Sequence, residues 1–355
     1  MAGETGAIAK MAEHASKQIF DWFKWKRVAL NDQNFDCVKQ NEHASRKVAQ
    51  HTHPVDAVFY YHDPYLNRNI YLNTDLKSYA KGSIDASKIF PALKSLACAI
   101  DCARLSPEWQ ERYIHNEEAY EVRGMLFVYN HDADYDGNFY ETLLAPVKRR
   151  VDREAKPVHL ENMPLADGQS VHIFEPALIS YLSTLTVDAA QLHARGEFPE
   201  TNYEFFYPEL KLVKTSGEKV KRPATVEMLA GPYLIIKHDR VFKYSETSGA
   251  TEERYPEGYV VYYSRDGSTA EEFAYLLDIL SGFQILDGGH KIRIRLINPN
   301  PGKDPRSQFQ RAITIYAQEW NFDKYKLDRL NEIEFELVEI ARFSFSKTDI
   351  GWDRS

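Results

Sequence analysis

Apolar positions recur with a helical period at the start of the chain, where Ile8, Ala12, Ala15, Ile19 and Phe23 share one face, predicting a helix over residues 4–25. Glu4 falls on the same stripe near the helix start. The period then changes. A short strand-like "KRVAL" is followed by the polar stretch "NDQNFDCVKQNEHASRK", and then by two runs with strand character, "VDAVFYYH" and "NIYLNTDLKSY". They are joined by "DPYLNR", whose Asp-Pro step favours turn initiation, so the pair reads as a hairpin. Residues 85–102, around "IFPALKSLACAIDCA", return to helical spacing, and "GMLFVY" at 124–129 is a short buried strand. Helix, strand, hairpin, helix, strand is the order of a mixed α/β sheet flanked by helices, assigned to residues 1–148.

Past the basic, proline-containing stretch at 151–176 the pattern starts again. "YVVYYSRDGSTAEEFAYLLDILSGFQILDGGHKIRIRLI" is strand, helix, strand, with Ser268 and Glu271 as a capping box and a Gly288-Gly289 turn before the returning strand. A helix near 305–320 and the strand "NEIEFELVEIARF" complete a second, α+β domain at 149–355.

Composition narrows the class without naming a chemistry. A chain of 355 residues is long enough for about two domains, and 43% hydrophobic with 27% charged residues is the balance of a globular protein. The longest apolar runs, such as "YLIIK", are strand-sized, and "MAGETGAIAKMAEHASK" is amphipathic without a signal-peptide core, so a cytoplasmic protein is expected. Three cysteines, Cys37, Cys98 and Cys102, are an odd number with no paired CxxC, which supports neither a disulfide framework nor a cysteine zinc site. Cys98 and Cys102 read as small core residues on a helix. The net charge of −8 argues against a uniformly basic nucleic-acid coat. Basic clusters at 39–47, 148–156, 211–222 and 290–295 read as solvated faces.

Within the hairpin, charge stands where a strand does not need it. The first run opens on Asp56, and the second carries Asp75 and Lys77 on either side of Leu76. Residues two apart on a strand leave the same face, about 7 Å apart along the chain, and Asp56 joins them if its strand lies alongside. Two carboxylates and a lysine are the set that phosphodiester hydrolysis uses. Hard oxygens hold a divalent cation that polarises the phosphate and lowers the pKa of a bound water, and a lysine orients that water or steadies the developing charge. The Leu76 carbonyl is a further candidate metal oxygen.

"PVD" at 54–56 followed after a hairpin by "DLK" at 75–77 resembles the signature of the PD-(D/E)XK nuclease superfamily, which includes type II restriction enzymes and Holliday-junction resolvases. "GETGAIAKMAEHA" resembles its opening helix, whose glutamate often completes the metal site. "HPVDAVFYYHDPYL" is similar to the nuclease subunits of bacterial anti-phage defence systems, which have a histidine shortly before the first acid and a "Y..P" pattern after it. The resemblance covers about the first 145 residues. It implies a restriction-endonuclease-like fold and a Mg²⁺-dependent DNA endonuclease, with Mn²⁺ able to substitute. It makes Asp56 and Asp75 metal ligands, Lys77 the water-positioning or charge-stabilising group, Glu4 the helix glutamate, and His53 a contact to the scissile phosphate or an organiser of Asp56. It also makes the C-terminal domain a candidate for sensing, oligomerisation or docking, within a homo- or hetero-oligomer containing a second protein subunit of the same defence system and away from membranes. A nuclease-like but catalytically silent binding module, or a nuclease acting on RNA or on repair and recombination intermediates, is the alternative.

Other patterns are weaker. Of three [DE]-x-K triplets, those at 154–156 and 209–211 lack the surrounding hairpin, and Pro208 would interrupt a strand at the latter. "DADYDGNFYETL" starts like a calcium loop but has Leu143 at the twelfth position, so an acidic turn is expected. His51 and His53 find no third ligand at helpful spacing, Lys39, Gln40 and His43 read as a solvated edge, and Tyr60, Tyr61, Tyr65 and Tyr71 read as packing aromatics.

Overall fold

The computed structural model describes residues 2–30, 32–44, 51–114, 119–145, 160–210, 222–245 and 249–341, with side chains from residue 10 onward except those of 162 and 245. The described chain forms two compact units, one ending at Ile179 and the other spanning Ser180–Ala341.

The first unit opens with α1 (Ala2–Trp22) and continues through β1 (Lys26–Arg27), β2 (Gln33–Asp36), β3 (Thr52–Val55), β4 (Ala57–Asp63) and β5 (Arg68–Tyr79). It ends with α2 (Ala86–Ala103), α3 (Pro107–Tyr113), β6 (Tyr120–Asn130), α4 (Phe139–Leu144) and β7 (Val171–Phe174). The apolar stripe of α1 is buried at Ala12, Ala15, Ile19 and Phe23, as the spacing predicts. The helix stops at Trp22 instead of residue 25 because Lys24 turns the chain at φ 63° and the Trp25 N–H closes back on the Phe20 carbonyl at 2.9 Å. Trp25 thereby returns to the core, stacked on Phe20 at 4.6 Å and on Tyr61 at 4.9 Å.

The sheet order is β1-β4-β5-β6-β7, with β4–β5 an antiparallel hairpin and β5, β6 and β7 parallel, which makes a mixed sheet. Strand β6 is buried over nearly its whole length, from Val122 to Asn130, as expected for a strand between two parallel neighbours. The unit runs past residue 148 because β7, a four-residue strand, pairs with β6 from Gly124 to Phe127. Asp85 caps α2, accepting from the Ser87 and Lys88 N–H groups.

The second unit contains most of α5 (Pro176–Ala194), then β8 (Tyr203–Phe205), α6 (Val226–Leu229), β9 (Tyr233–His238), β10 (Val241–Ser245), β11 (Ala250–Tyr255) and β12 (Gly258–Tyr263). It continues with α7 (Ala270–Gly282), β13 (Lys291–Leu296), α8 (Pro305–Glu319), α9 (Lys324–Asn331) and β14 (Glu334–Leu337). Its sheet runs β14-β13-β12-β9-β8, again mixed, with β12, β13 and β14 parallel. Phe273, Phe309 and Phe335 pack together under α7 and α8. The cap of α7 is Thr269, one residue later than the sequence reading: its hydroxyl accepts from the Glu272 N–H, while Glu272 takes the Gly267 N–H and the Tyr263 hydroxyl.

The basic cluster at 290–295 is not a solvated face. Arg293 and Arg295 are 2% and 6% exposed, because alternate residues of β13 point to the side where Arg295 meets Asp188 and Arg293 stacks on Tyr255 at 4.5 Å. Among the described residues, no helix is long and apolar enough to cross a membrane.

Candidate active site

Asp56 occupies a bend between β3 and β4, one residue before the ladder in which Ala57 faces Thr74. That register places Asp56 across from Asp75. The Asp56 N–H donates to the Thr74 carbonyl at 3.2 Å, and the Leu76 N–H donates to Asp56 Oδ2 at 2.7 Å. Lys77, two residues further along β5, forms an ion pair with Asp75. The three side chains expected to converge therefore do so, and each half of the hairpin contributes. The alternation of β5 alone sets the Asp75–Lys77 pair, while the pairing of β4 with β5 brings in Asp56. Leu76 is half-buried, and its N–H serves Asp56.

Burial and the neighbouring Asp75 charge push the Asp56 carboxyl up to about 6, against the counteracting Leu76 N–H and Lys77. Burial alone would lower the Lys77 ammonium, but Asp75 and Asp56 outweigh it and hold Lys77 above its ordinary value, hence charged at neutral pH. Two carboxylates that repel each other in a half-buried niche, with one lysine beside them, are a donor set suited to a hard divalent cation.

The raised Asp56 value carries a stability consequence for the metal-free protein. A carboxyl whose pKa is higher folded than unfolded favours the fold most below its unfolded value near 4, and that contribution is lost as pH rises through about 6. Asp56→Asn keeps an oxygen for the Leu76 N–H and removes the repulsion with Asp75. The metal-free variant is therefore expected to be more stable than wild type by on the order of 1–3 kcal/mol at pH 7, and equal to it near pH 4. Thermal melts of both proteins in chelator across that range check the sign; a less stable Asp56→Asn at pH 7 contradicts the reading.

One carboxylate in this region escaped the sequence pattern. Asp32 lies in the turn after β1 with φ 50°, and its N–H donates to the Asp56 carbonyl at 3.2 Å. Burial and then the Asp56 and Glu13 charges raise its carboxyl, against Arg27. Glu13 of α1 is held by Arg27 at 2.7 Å. An isolated Asp in a turn has no periodicity to mark it; the antiparallel pairing of residues 26–28 with β4 and the bond from the Asp32 N–H to the Asp56 carbonyl bring it here. The side chain of Glu4 is outside the described residues, as are the 154–156 triplet and Lys211.

His53 stands elsewhere. It lies on β3, paired with Phe35, is 1% exposed, and the charged groups that act on it are His43 and Asp101. It joins Cys37, His43 and Cys102, so the role of a phosphate contact beside Asp56 is not supported by its position. The Lys39–His43 segment is not simply a solvated edge either, since Lys39 Nζ and His43 Nε2 reach Asp101 at 2.7 and 3.1 Å while Gln40 is exposed. The acidic turn after β6 behaves as a turn: Asp132 accepts the Lys81 N–H at 2.9 Å and Asn130 Nδ2 at 2.6 Å. Tyr61 and Tyr71 are core residues, Tyr60 stacks on Tyr71 at 5.1 Å, and Tyr65 is exposed.

No curated protein and no solved structure matches the chain. Residues 1–177, the span that carries Asp56, Asp75 and Lys77, match the family model described as the GAPS4 protein PD-(D/E)XK nuclease domain, and this part of the chain belongs to that family of phage-defence nuclease domains.

Proposed function

We propose that the chain is a Mg²⁺-dependent endodeoxyribonuclease, the effector of a phage-defence system. The observation that carries the reading is the convergence of Asp56, Asp75 and Lys77 on one end of the β4–β5 hairpin. When bound, a divalent cation supplies the Lewis acidity that polarises the phosphate and acidifies a water. Asp56 and Asp75 would hold that ion, with the Leu76 carbonyl as a further oxygen. The Lys77 ammonium, kept charged beside Asp75, orients the attacking water and offsets the charge that builds on the phosphate oxygens. Toward and below about pH 6 the Asp56 carboxyl carries a proton that it must lose to act as a ligand, so ion binding there is coupled to proton release.

The formal net charge of −8 and the absence of any DNA-reading motif among the elements found favour gating by assembly with a second protein subunit, docked or sensed through the C-terminal half. Plasmid cleavage by the purified chain tests both parts. Weak or no nicking by the chain alone, and Mg²⁺-dependent cutting in the presence of the partner subunit, is the expected result. Vigorous unregulated cutting by the chain alone would overturn the gating, and cutting of RNA but not DNA would overturn the substrate.

A further inference from the structure

We propose that Cys37, His43, His53 and Cys102 form a tetrahedral zinc site that fastens the β2–β3 ribbon to helix α2, separate from the nuclease carboxylates. Four parts of the chain deliver them: Cys37 directly follows β2, His43 lies in the next turn, His53 is on β3, and Cys102 is in the last turn of α2. Their candidate ligand atoms all lie within 4.8 Å of one another.

The spacing among Cys37, His43 and Cys102 fits one metal. With Zn–S near 2.3 Å and Zn–N near 2.0–2.1 Å, the edges of a regular tetrahedron are about 3.75 Å between sulfurs and about 3.5 Å between sulfur and nitrogen. The two sulfurs are 3.7 Å apart, and His43 Nδ1 is 3.5 Å from Cys37 Sγ and 3.4 Å from Cys102 Sγ. Two thiolates and two neutral imidazoles would also cancel the charge of a dication, which a buried site requires.

Two further observations point the same way. His53 is 1% exposed and its Nε2 is a buried nitrogen with no hydrogen-bond partner among the described residues, a costly state that a metal bond removes. His43 turns Nε2 to Asp101 at 3.1 Å while Nδ1 faces the sulfurs, and Lys39 braces the same carboxylate oxygen at 2.7 Å. A carboxylate that fixes the tautomer of a histidine from behind is the usual outer support of a zinc ligand. Cys37 and Cys102 are buried, and Cys98, the third cysteine, is outside the cluster. Sequence spacing hides the site because Cys102 is 65 positions from Cys37.

The site has a structural consequence. His53 belongs to the strand that runs directly into Asp56, so a metal there fixes the entry to the catalytic bend.

Elemental analysis of the full-length chain, purified without chelator and dialysed against metal-free buffer containing Mg²⁺, tests the proposal. One zinc per chain is expected, released by a mercurial thiol reagent and detected with a chromogenic chelator. Substitution with Co²⁺ should give the visible bands of a tetrahedral ion and thiolate charge transfer. Cys37→Ser and Cys102→Ser should lose the zinc and the charge-transfer band, while Cys98→Ser and Asp75→Ala should retain both. Folded wild-type protein without zinc, or a Cys37–Cys102 disulfide found by mass spectrometry, would overturn the proposal. Because the wild-type measurement stands alone, a cysteine variant that fails to fold does not shield it. Zinc retained in a protein that cuts nothing even with the partner subunit and Mg²⁺ present would leave this site standing and count against the nuclease reading instead.

Discussion

Lys77→Ala is expected to lower Mg²⁺-dependent cleavage by roughly 100- to 1000-fold, the loss typical when one group that stabilises transition-state charge is removed. Its ammonium pairs with Asp75 and acts on the Asp56 charge as well, so its loss is felt by both carboxylates. Asp75→Ala should be at least as damaging, because it removes a proposed ion ligand and the partner of Lys77 together. The fold should survive both changes: Lys77 and Asp75 are about one-third and one-sixth exposed, and neither lies in the hydrophobic clusters that join the sheet to α2. Plasmid nicking by each variant beside wild type, both with the partner subunit present so that the parent cuts, measures the effect, with circular dichroism to verify folding. Equal activity in variant and parent would remove these residues from the site.

Asp188→Ala is the substitution expected to cost most stability in the second unit. Asp188 is 1% exposed and holds two buried partners, Arg295 Nη2 at 2.5 Å and the Tyr262 hydroxyl at 3.0 Å. Without it Arg295 keeps, among the described residues, Glu336, whose side chain is half-exposed, and a guanidinium is stranded in the interior. Breaking a buried pair by deleting one partner costs about 3–5 kcal/mol. For a unit of this size that corresponds to a midpoint shift of roughly 10 °C. Replacing both charges, as Asp188→Leu with Arg295→Met, should cost much less, since the only charge left without its partner is the half-exposed Glu336. Calorimetry of the single and double variants distinguishes the cases; a single variant that melts with wild type would show that Arg295 finds another partner.

Legibility followed the range of the interaction that fixes each feature. The stripe on α1 and the β4–β5 hairpin depend on spacing within a few residues, and the sequence pattern located both. The DLK triplet became meaningful because its hairpin could be seen around it. Features fixed at long range were hidden. β7 is four residues with only Phe174 fully buried, and its pairing with β6 is what makes it a strand. Asp32 reaches Asp56 through a left-handed turn that no periodicity announces. His53 looked like a neighbour of Asp56 because it is three residues away, yet strand alternation turns it to the α2 side, where Cys102 waits. An odd cysteine count speaks against a complete disulfide framework but says little about a mixed Cys/His site, which needs only two thiols. At α7, two adjacent hydroxyl residues each had a glutamate three positions on, and only the geometry of the turn chose Thr269.

The central claim is that Asp56 and Asp75 hold a catalytic divalent cation on the β4–β5 hairpin. Crystals soaked in Mn²⁺ and examined by anomalous scattering test it most directly. A Mn²⁺ peak between the two carboxylates, within bonding distance of both and lost in Asp75→Ala crystals, is the predicted result. A well-ordered hairpin with no manganese at these carboxylates, or with the ion bound elsewhere, would contradict the account.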